Sequence, residues 1–185
     1  MRYPATETAQ KHIKILDEAA RLFRERGFNE VSVSEIMKAA GLTVGPFYNH
    51  FESKEALMSE CLAYAGDKAA ADLDHINKST QKKSEFIDYY LSKTHIENPG
   101  SGCIIAALGS QIRNEPKAKQ SFTSYVKSML EKFTEQLPWP QTKTARHDSI
   151  VMLSALVGAV VMARALDDDE LSQEILNAVK MHFNE

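Results

Sequence analysis

Apolar residues recur at helical spacing along most of this chain. Near the start, Ile13, Leu16, Ala20 and Phe23 fall on one face and predict a helix over 8–26, closed by Gly27, with Phe28 tucking back into a small core. Ser32 followed three residues later by Glu35 is a capping box. It predicts a second helix over 34–40, with Ile36, Met37 and Ala40 inward. Gly41 then stands where a helix end accepts left-handed backbone. Leu42 can plug the core, and Thr43 can N-cap a third, short helix over 44–50. In that helix Phe47 and Phe51, four apart, face inward, and Pro46 lies in the first turn, where a missing N–H does no harm.

Ser53 caps a fourth, long helix reaching about residue 77, with Leu57, Cys61, Tyr64, Leu73 and Ile76 apolar. A polar break over 78–83 precedes a fifth helix over 84–97, with Phe86, Ile87, Tyr90, Leu91 and Thr94 inward. NPGSG at 98–102 is the strongest break. A short apolar helix follows over 103–114. Pro116 opens another that runs to 136 and ends at LPWP, 137–140. The helix predicted over 143–165 is apolar almost all round between Ile150 and Ala163, so it requires cover on all sides. Ala155, Gly158, Ala159 and Ala163 let a partner come close. Asp167 and Glu170 give a second capping-box signal, and the last helix reaches about Phe183 with Leu171, Ile175, Ala178, Val179 and His182 on one face. The expectation is an all-α protein of about nine helices: a three-helix unit over 1–54 and a larger helical unit over 55–185. The last two helices carry more apolar surface than one small domain needs, which predicts a four-helix bundle shared by two copies of the chain.

Composition narrows the class. Hydrophobic residues make up 43% and charged residues 25%, with only 8 Gly and 6 Pro, as in ordinary globular proteins. The net charge of −3 excludes a wholly basic nucleic-acid binder. Residues 1–54 hold 8 Lys/Arg against 7 Asp/Glu and residues 55–185 hold 14 against 18, an asymmetry too small to argue from alone. Lys11, Lys14 and Lys54 are placed where phosphates could run. The two cysteines, Cys61 and Cys103, make no disulfide framework. No charged-then-apolar leader opens the sequence, and the apolar run Ile150–Ala163 is shorter than the roughly 20 residues a bilayer requires. A cytoplasmic protein is expected. Enzyme chemistry lacks support: there is no Gly-rich phosphate loop, metal-spaced His/Cys cluster or nucleophile elbow. Cys103 with His147, or Asp168 with Asp169, would be the only pairs to consider, and the acidic run reads better as a solvated helix start. No catalytic residue, cofactor or metal is expected.

The segment 32–54 has the chemistry of a reader. Two helices joined by a short Gly-containing turn form the helix-turn-helix pattern, whose second helix enters the DNA major groove. One face of that helix packs; the other presents Thr43, Tyr48, Asn49 and His50, with Gly45 permitting close approach. The stretch AARLFRERGFNEVSVSEIMKAAGLTVGPFYNHFESKEAL, Ala19 to Leu57, resembles the tetracycline-repressor (TetR) family of bacterial transcription regulators. The A-A-G turn, the glycine after Val44, the F-Y-N-H-F helix and the S-K-E-x-L start of the next helix occur in register, over about a fifth of the chain. Val31 stands where many members carry Thr or Ser, and Pro46 where Ser, Thr or Ala is commoner. The resemblance implies base contacts from Thr43, Val44, Pro46 and Asn49, and phosphate contacts from Ser32, Ser34, Tyr48, His50 and Lys54, with Gly45 at the surface. It implies a homodimer through the last two helices, spacing two reading helices about 34–36 Å apart on a near-palindromic double-stranded operator.

The resemblance also implies that the larger unit binds a small-molecule effector, with repression as the default and release on ligand binding. Candidate lining residues are Phe86, Tyr90, Cys103, Ala107, Phe122, Met129, Phe133, Trp139, His147 and Val151. They point to a hydrophobic or aromatic effector, although core packing explains each of them as well. Cys103, after NPGSG at a helix start, could instead sense electrophiles through its thiol. A helical ligand-binding adaptor without DNA binding is the remaining alternative, opposed by the intact Tyr48, His50 and Lys54.

Overall fold

The computed structural model describes residues 5–139 and 144–184. Nine α-helices and two short 3-10 segments lie within them, with no strand among the described residues. Helix α1 spans Ala5–Arg26 and α2 spans Val33–Ala39. Both α2 ends follow local chemistry. The Ser32 hydroxyl accepts the Glu35 N–H at 3.2 Å, and the Glu35 carboxylate accepts the Ser32 N–H at 2.9 Å. At the other end Gly41, at φ +69°, donates to the Lys38 carbonyl, while Leu42 N–H reaches back to Met37, the paired closure that a left-handed residue permits.

The next element departs from expectation. It is a 3-10 helix, Gly45–Asn49, with Val44 as N-cap and no side-chain cap from Thr43. Phe47 N–H bonds to Val44 and His50 N–H to Phe47. Pro46 has no N–H to give, so the first backbone bond of the element falls to Phe47 and closes over three residues.

Helix α3, Lys54–Asp74, begins at Ser53, whose hydroxyl accepts the Ala56 N–H at 3.1 Å. It stops before the expected residue 77: Asn77 and Lys78 adopt φ of 44° and 59°, and Lys78 N–H binds the Gln136 carbonyl. The expected polar break is mostly helix. Ser79 caps α4, Thr80–Tyr90, and Ser92 caps a separate short helix α5, Lys93–Glu97, so the single helix predicted over 84–97 is two. The 3-10 turn Pro99–Ser101 leads to α6, Ile104–Ile112, then α7, Pro116–Gln136. Helix α8, Ala145–Ala165, follows; its expected start at residue 143 lies outside the described residues, as does Pro140. Helix α9, Asp169–Asn184, is capped by Asp168, whose carboxylate accepts the Leu171 N–H at 2.9 Å; the cap is one residue later than Asp167.

Two cores result. Phe23, Phe28, Val31, Ile36, Met37, Phe47, Phe51 and Leu57 are buried in the N-terminal unit. Val31 is fully buried, so at that position the chain uses apolar packing. In the larger unit α3 lies along α7, over a core that includes Ile87, Ile104, Leu108, Phe133, Met152 and Leu156. Helix α1 belongs to both: it packs on α2 and α3, and also on the 99–101 turn and α6. Gly27, at φ +88°, sits at that corner, where a Cβ would lie 2.6 Å from the Gln111 side chain.

Helix α8 is not covered on all sides within one chain. Ile150, Val151, Val161 and Met162 are each 42–47% exposed, and Leu171 and Met181 extend the open apolar stripe onto α9. A Cβ on Gly158 would meet nothing within 4 Å. Helix α8 is 21 residues long and its most apolar 18 residues have a mean hydropathy of 1.7, so by length and composition alone it could cross a membrane, which the shorter run Ile150–Ala163 did not suggest. Its other face packs on α5, α6, α7 and α9.

Candidate functional site

The reading helix rests on two rings. Phe47 is fully buried and Phe51 is 4% exposed, with centroids 5.7 Å apart. His12 of α1 stacks on Phe51 at 4.5 Å. With that face committed, Thr43, Val44, Gly45, Tyr48 and Asn49 point to solvent, Tyr48 at 72% exposure, and Pro46 is half-buried beside them. Tyr48 is held edge-on against Phe47 at 5.2 Å. Both its ring and its hydroxyl are therefore open to solvent.

The expected phosphate contacts sit around the rim. Ser32 and Ser34 are exposed at the start of α2, where helix N-terminal amides favour anions. The Ser32 hydroxyl is also engaged with Glu35, whose carboxylate is held at about 2 by the Ser32 N–H, the Arg26 guanidinium and the Ser32 hydroxyl. Lys54 opens α3 and lies 4.4 Å over the Phe28 ring, which aims its ammonium along the surface; burial lowers its pKa. His50 is half-buried, and burial, then His12 and Lys11, lower its pKa. It therefore offers a neutral imidazole N–H at neutral pH.

A solvent-facing reading helix seated on buried rings, behind a capped helix and a left-handed glycine turn, defines a helix-turn-helix protein. Comparison with known proteins agrees. The model of the bacterial regulatory proteins of the tetR family matches residues 15–61. The HTH-type transcriptional repressor KstR2 of Rhodococcus jostii is 44% identical over 62 residues, 32% of this chain and 30% of that protein. The regulator UidR of Escherichia coli K12 is 26% identical, over 59% of this chain and 56% of its own length. The matched segments thus span only about a third to a half of these two relatives. Among solved structures, a TetR-family regulator from Agrobacterium tumefaciens superposes with a TM-score of 0.78 at 21% identity, covering 94% of this chain and 97% of the other. Reduced NemR of E. coli gives 0.77 at 19%, covering 93% and 96%. Over residues 15–61 the chain is thus similar to the bacterial regulatory proteins of the tetR family, and its fold as a whole is that of these solved structures.

The larger unit holds a cavity of about 210 Å³ where α1, α3, α6 and α7 meet. Of the expected lining residues, Tyr90, Cys103 and Met129 reach it. The other seven do not line it. Phe86 and Phe133 pack edge to face at 5.7 Å. Phe122 lies against Gly109, and Ala107 is half-buried on α6. The Trp139 indole N–H donates to the Phe133 carbonyl. His147 and Val151 are exposed on α8, a helix that contributes no residue to the cavity wall.

Nine lining residues lie outside the sequence-based expectation, among them Arg24, His95 and Tyr125. His95 is 4% exposed; its Nδ1 lies 2.5 Å from the Tyr90 carbonyl and its Nε2 accepts the Cys103 N–H at 3.0 Å. These partners require the neutral tautomer with the proton on Nδ1, and burial lowers its pKa accordingly. The Arg164 guanidinium anchors the same segment through the Ile96 and His95 carbonyls. Tyr125 is buried against Gly66, where a Cβ would stand 2.8 Å from the ring. A glycine inside a long helix was the available signal, since it costs about 1 kcal/mol against Ala and calls for a packing reason. Arg24, Lys68 and His95 thus bring a few polar groups to a cavity whose wall is otherwise largely apolar. Both cysteines are free, and no cluster of metal-ligating side chains occurs among the described residues.

Proposed function

We propose that this protein is a ligand-responsive transcriptional regulator, a repressor, that binds a near-palindromic operator as a cytoplasmic homodimer and leaves it when a small molecule binds. The observation that carries this reading is the division of the 45–49 helix: Phe47 and Phe51 are spent on the core, while Thr43, Val44, Tyr48 and Asn49 stand free. Asn49 suits adenine, Val44 and Pro46 suit a thymine methyl, and Ser32, Ser34, Tyr48, His50 and Lys54 suit the flanking phosphates. The open stripe Ile150, Val161, Met162 and Leu171 supports dimerisation through α8 and α9. Ligand binding would favour one orientation of the two readers over another. The test is selection of bound duplexes from a random pool, with and without candidate ligands. A palindromic consensus is expected; an absent or salt-insensitive interaction would favour an adaptor.

A second reading concerns Cys103. Its thiol lines the cavity and is half-buried, so an electrophile could reach it. If Cys103→Ser leaves the response of operator binding to N-ethylmaleimide unchanged, that reading fails.

A further inference from the structure

We infer that the cavity beside Arg24 takes a small organic carboxylate, whose oxygens sit between the Arg24 guanidinium and the Tyr90 hydroxyl and whose apolar body lies against α3 and α6. The inference rests on reading this cavity as the effector site, and it names the ligand's chemistry.

Arg24 carries the argument. Its Nε donates to the Gly100 carbonyl at 2.7 Å, and no carboxylate among the described residues pairs with it. Nearby Asp17 is already held by Lys68 at 2.7 Å and by the Tyr64 hydroxyl at 3.0 Å. Arg24 is half-buried and lines the cavity, and burial lowers its pKa. A guanidinium removed from water without a counter-charge is costly, and a bidentate carboxylate supplies both charge and acceptors. Tyr90 adds an independent sign. It is 8% exposed, and its hydroxyl makes no hydrogen bond of ordinary geometry among the described residues, with the weakly bonding Cys103 thiol beside it. An orphaned buried hydroxyl at a cavity wall calls for a partner. The rest of the wall, including Ala65, Ala69, Ile104 and Met129, is apolar, so a ring or short chain suits it. A cationic ligand does not, because Arg24 and Lys68 both face the space.

The placement matters because Arg24 belongs to α1, three residues before Gly27 and the turn into the reader. A carboxylate that draws the guanidinium inward competes with its bond to Gly100. The ligand would thus touch the DNA-binding unit directly.

The experiment is calorimetry on the full-length protein with benzoate and phenylacetate, each compared with its neutral amide. The carboxylates should bind at least tenfold more tightly than benzamide and phenylacetamide. Arg24→Gln should remove that preference and Arg24→Lys should retain part of it. Tyr90→Phe, which deletes one oxygen and keeps the ring, should weaken the carboxylates several-fold and covers the case of an unfolded Arg24→Gln. Lys127→Ala, at an exposed position of α7 outside the cavity lining, should change nothing. Equal binding of acid and amide, no binding of either acid, or full affinity in folded Arg24→Gln would overturn the proposal. Operator anisotropy is read separately. Carboxylate binding without operator release would refute the effector reading and leave the anion site standing.

Discussion

The side-chain carbonyl of Gln111 accepts the Phe28 N–H at 2.8 Å. This one bond ties α6 of the larger unit to the first corner of the reader. Gln111→Ala should leave a part-buried N–H unpaired and cost about 1–3 kcal/mol, by the usual penalty for an orphaned donor. Urea denaturation of wild type and variant checks the loss. In ligand titrations the same variant should show a smaller change in operator affinity, because the reader no longer follows α6.

Tyr48 and Asn49 are neighbours whose proposed roles can be tested apart. Tyr48→Ala should weaken specific and nonspecific DNA alike. Asn49→Ala should relax the choice of base at one position, by about 1–3 kcal/mol if the amide pairs with adenine. Lys54→Ala should lower the slope of log affinity against log salt by about one unit. Fluorescence anisotropy at several salt concentrations separates the three outcomes.

Glu35 makes stability depend on acid. Its carboxyl is held at about 2, first by the Ser32 N–H and then by Arg26, against an ordinary value of 4.5. Because the folded value lies below the unfolded one, its contribution is present above about pH 4.5 and is lost as pH falls toward 2. Thermal melts of Glu35→Gln and wild type should therefore converge as pH falls through this window. A constant gap would show that Glu35 acts only as a neutral cap.

The open stripe on α8 gives a direct test of assembly. Wild type should have the mass of a dimer by light scattering, and Val161→Glu, which puts a charge in the middle of the stripe, should have that of a monomer with unchanged helicity. A monomeric wild type would overturn the dimer.

What was legible in the sequence was local. Ser32, Glu35, Gly41 and Ser53 each act within three or four residues, so their spacing alone placed the reader's helices. The start of the reading helix was less legible because Thr43 and Val44 compete to begin it, and Pro46 tips the outcome by withholding a donor. Ser79, Ser92 and Asp168 were equally eligible caps, passed over because neighbouring polar residues masked them. The cavity was illegible for a different reason. Arg24, His95 and Tyr125 are about thirty to a hundred residues apart, and only tertiary packing joins them.

Gly66 has a mechanical consequence. Tyr125 of α7 fills the notch that this glycine leaves in α3. One helical turn along α3 in either direction, about 5.4 Å, Leu62 or Ala70 would bring a Cβ to the place where Gly66 has none. Sliding is thereby stopped at both ends, whereas tilting about the ring is not. Tyr125 therefore fixes the register of α3 on α7, and it does so at the wall of the cavity.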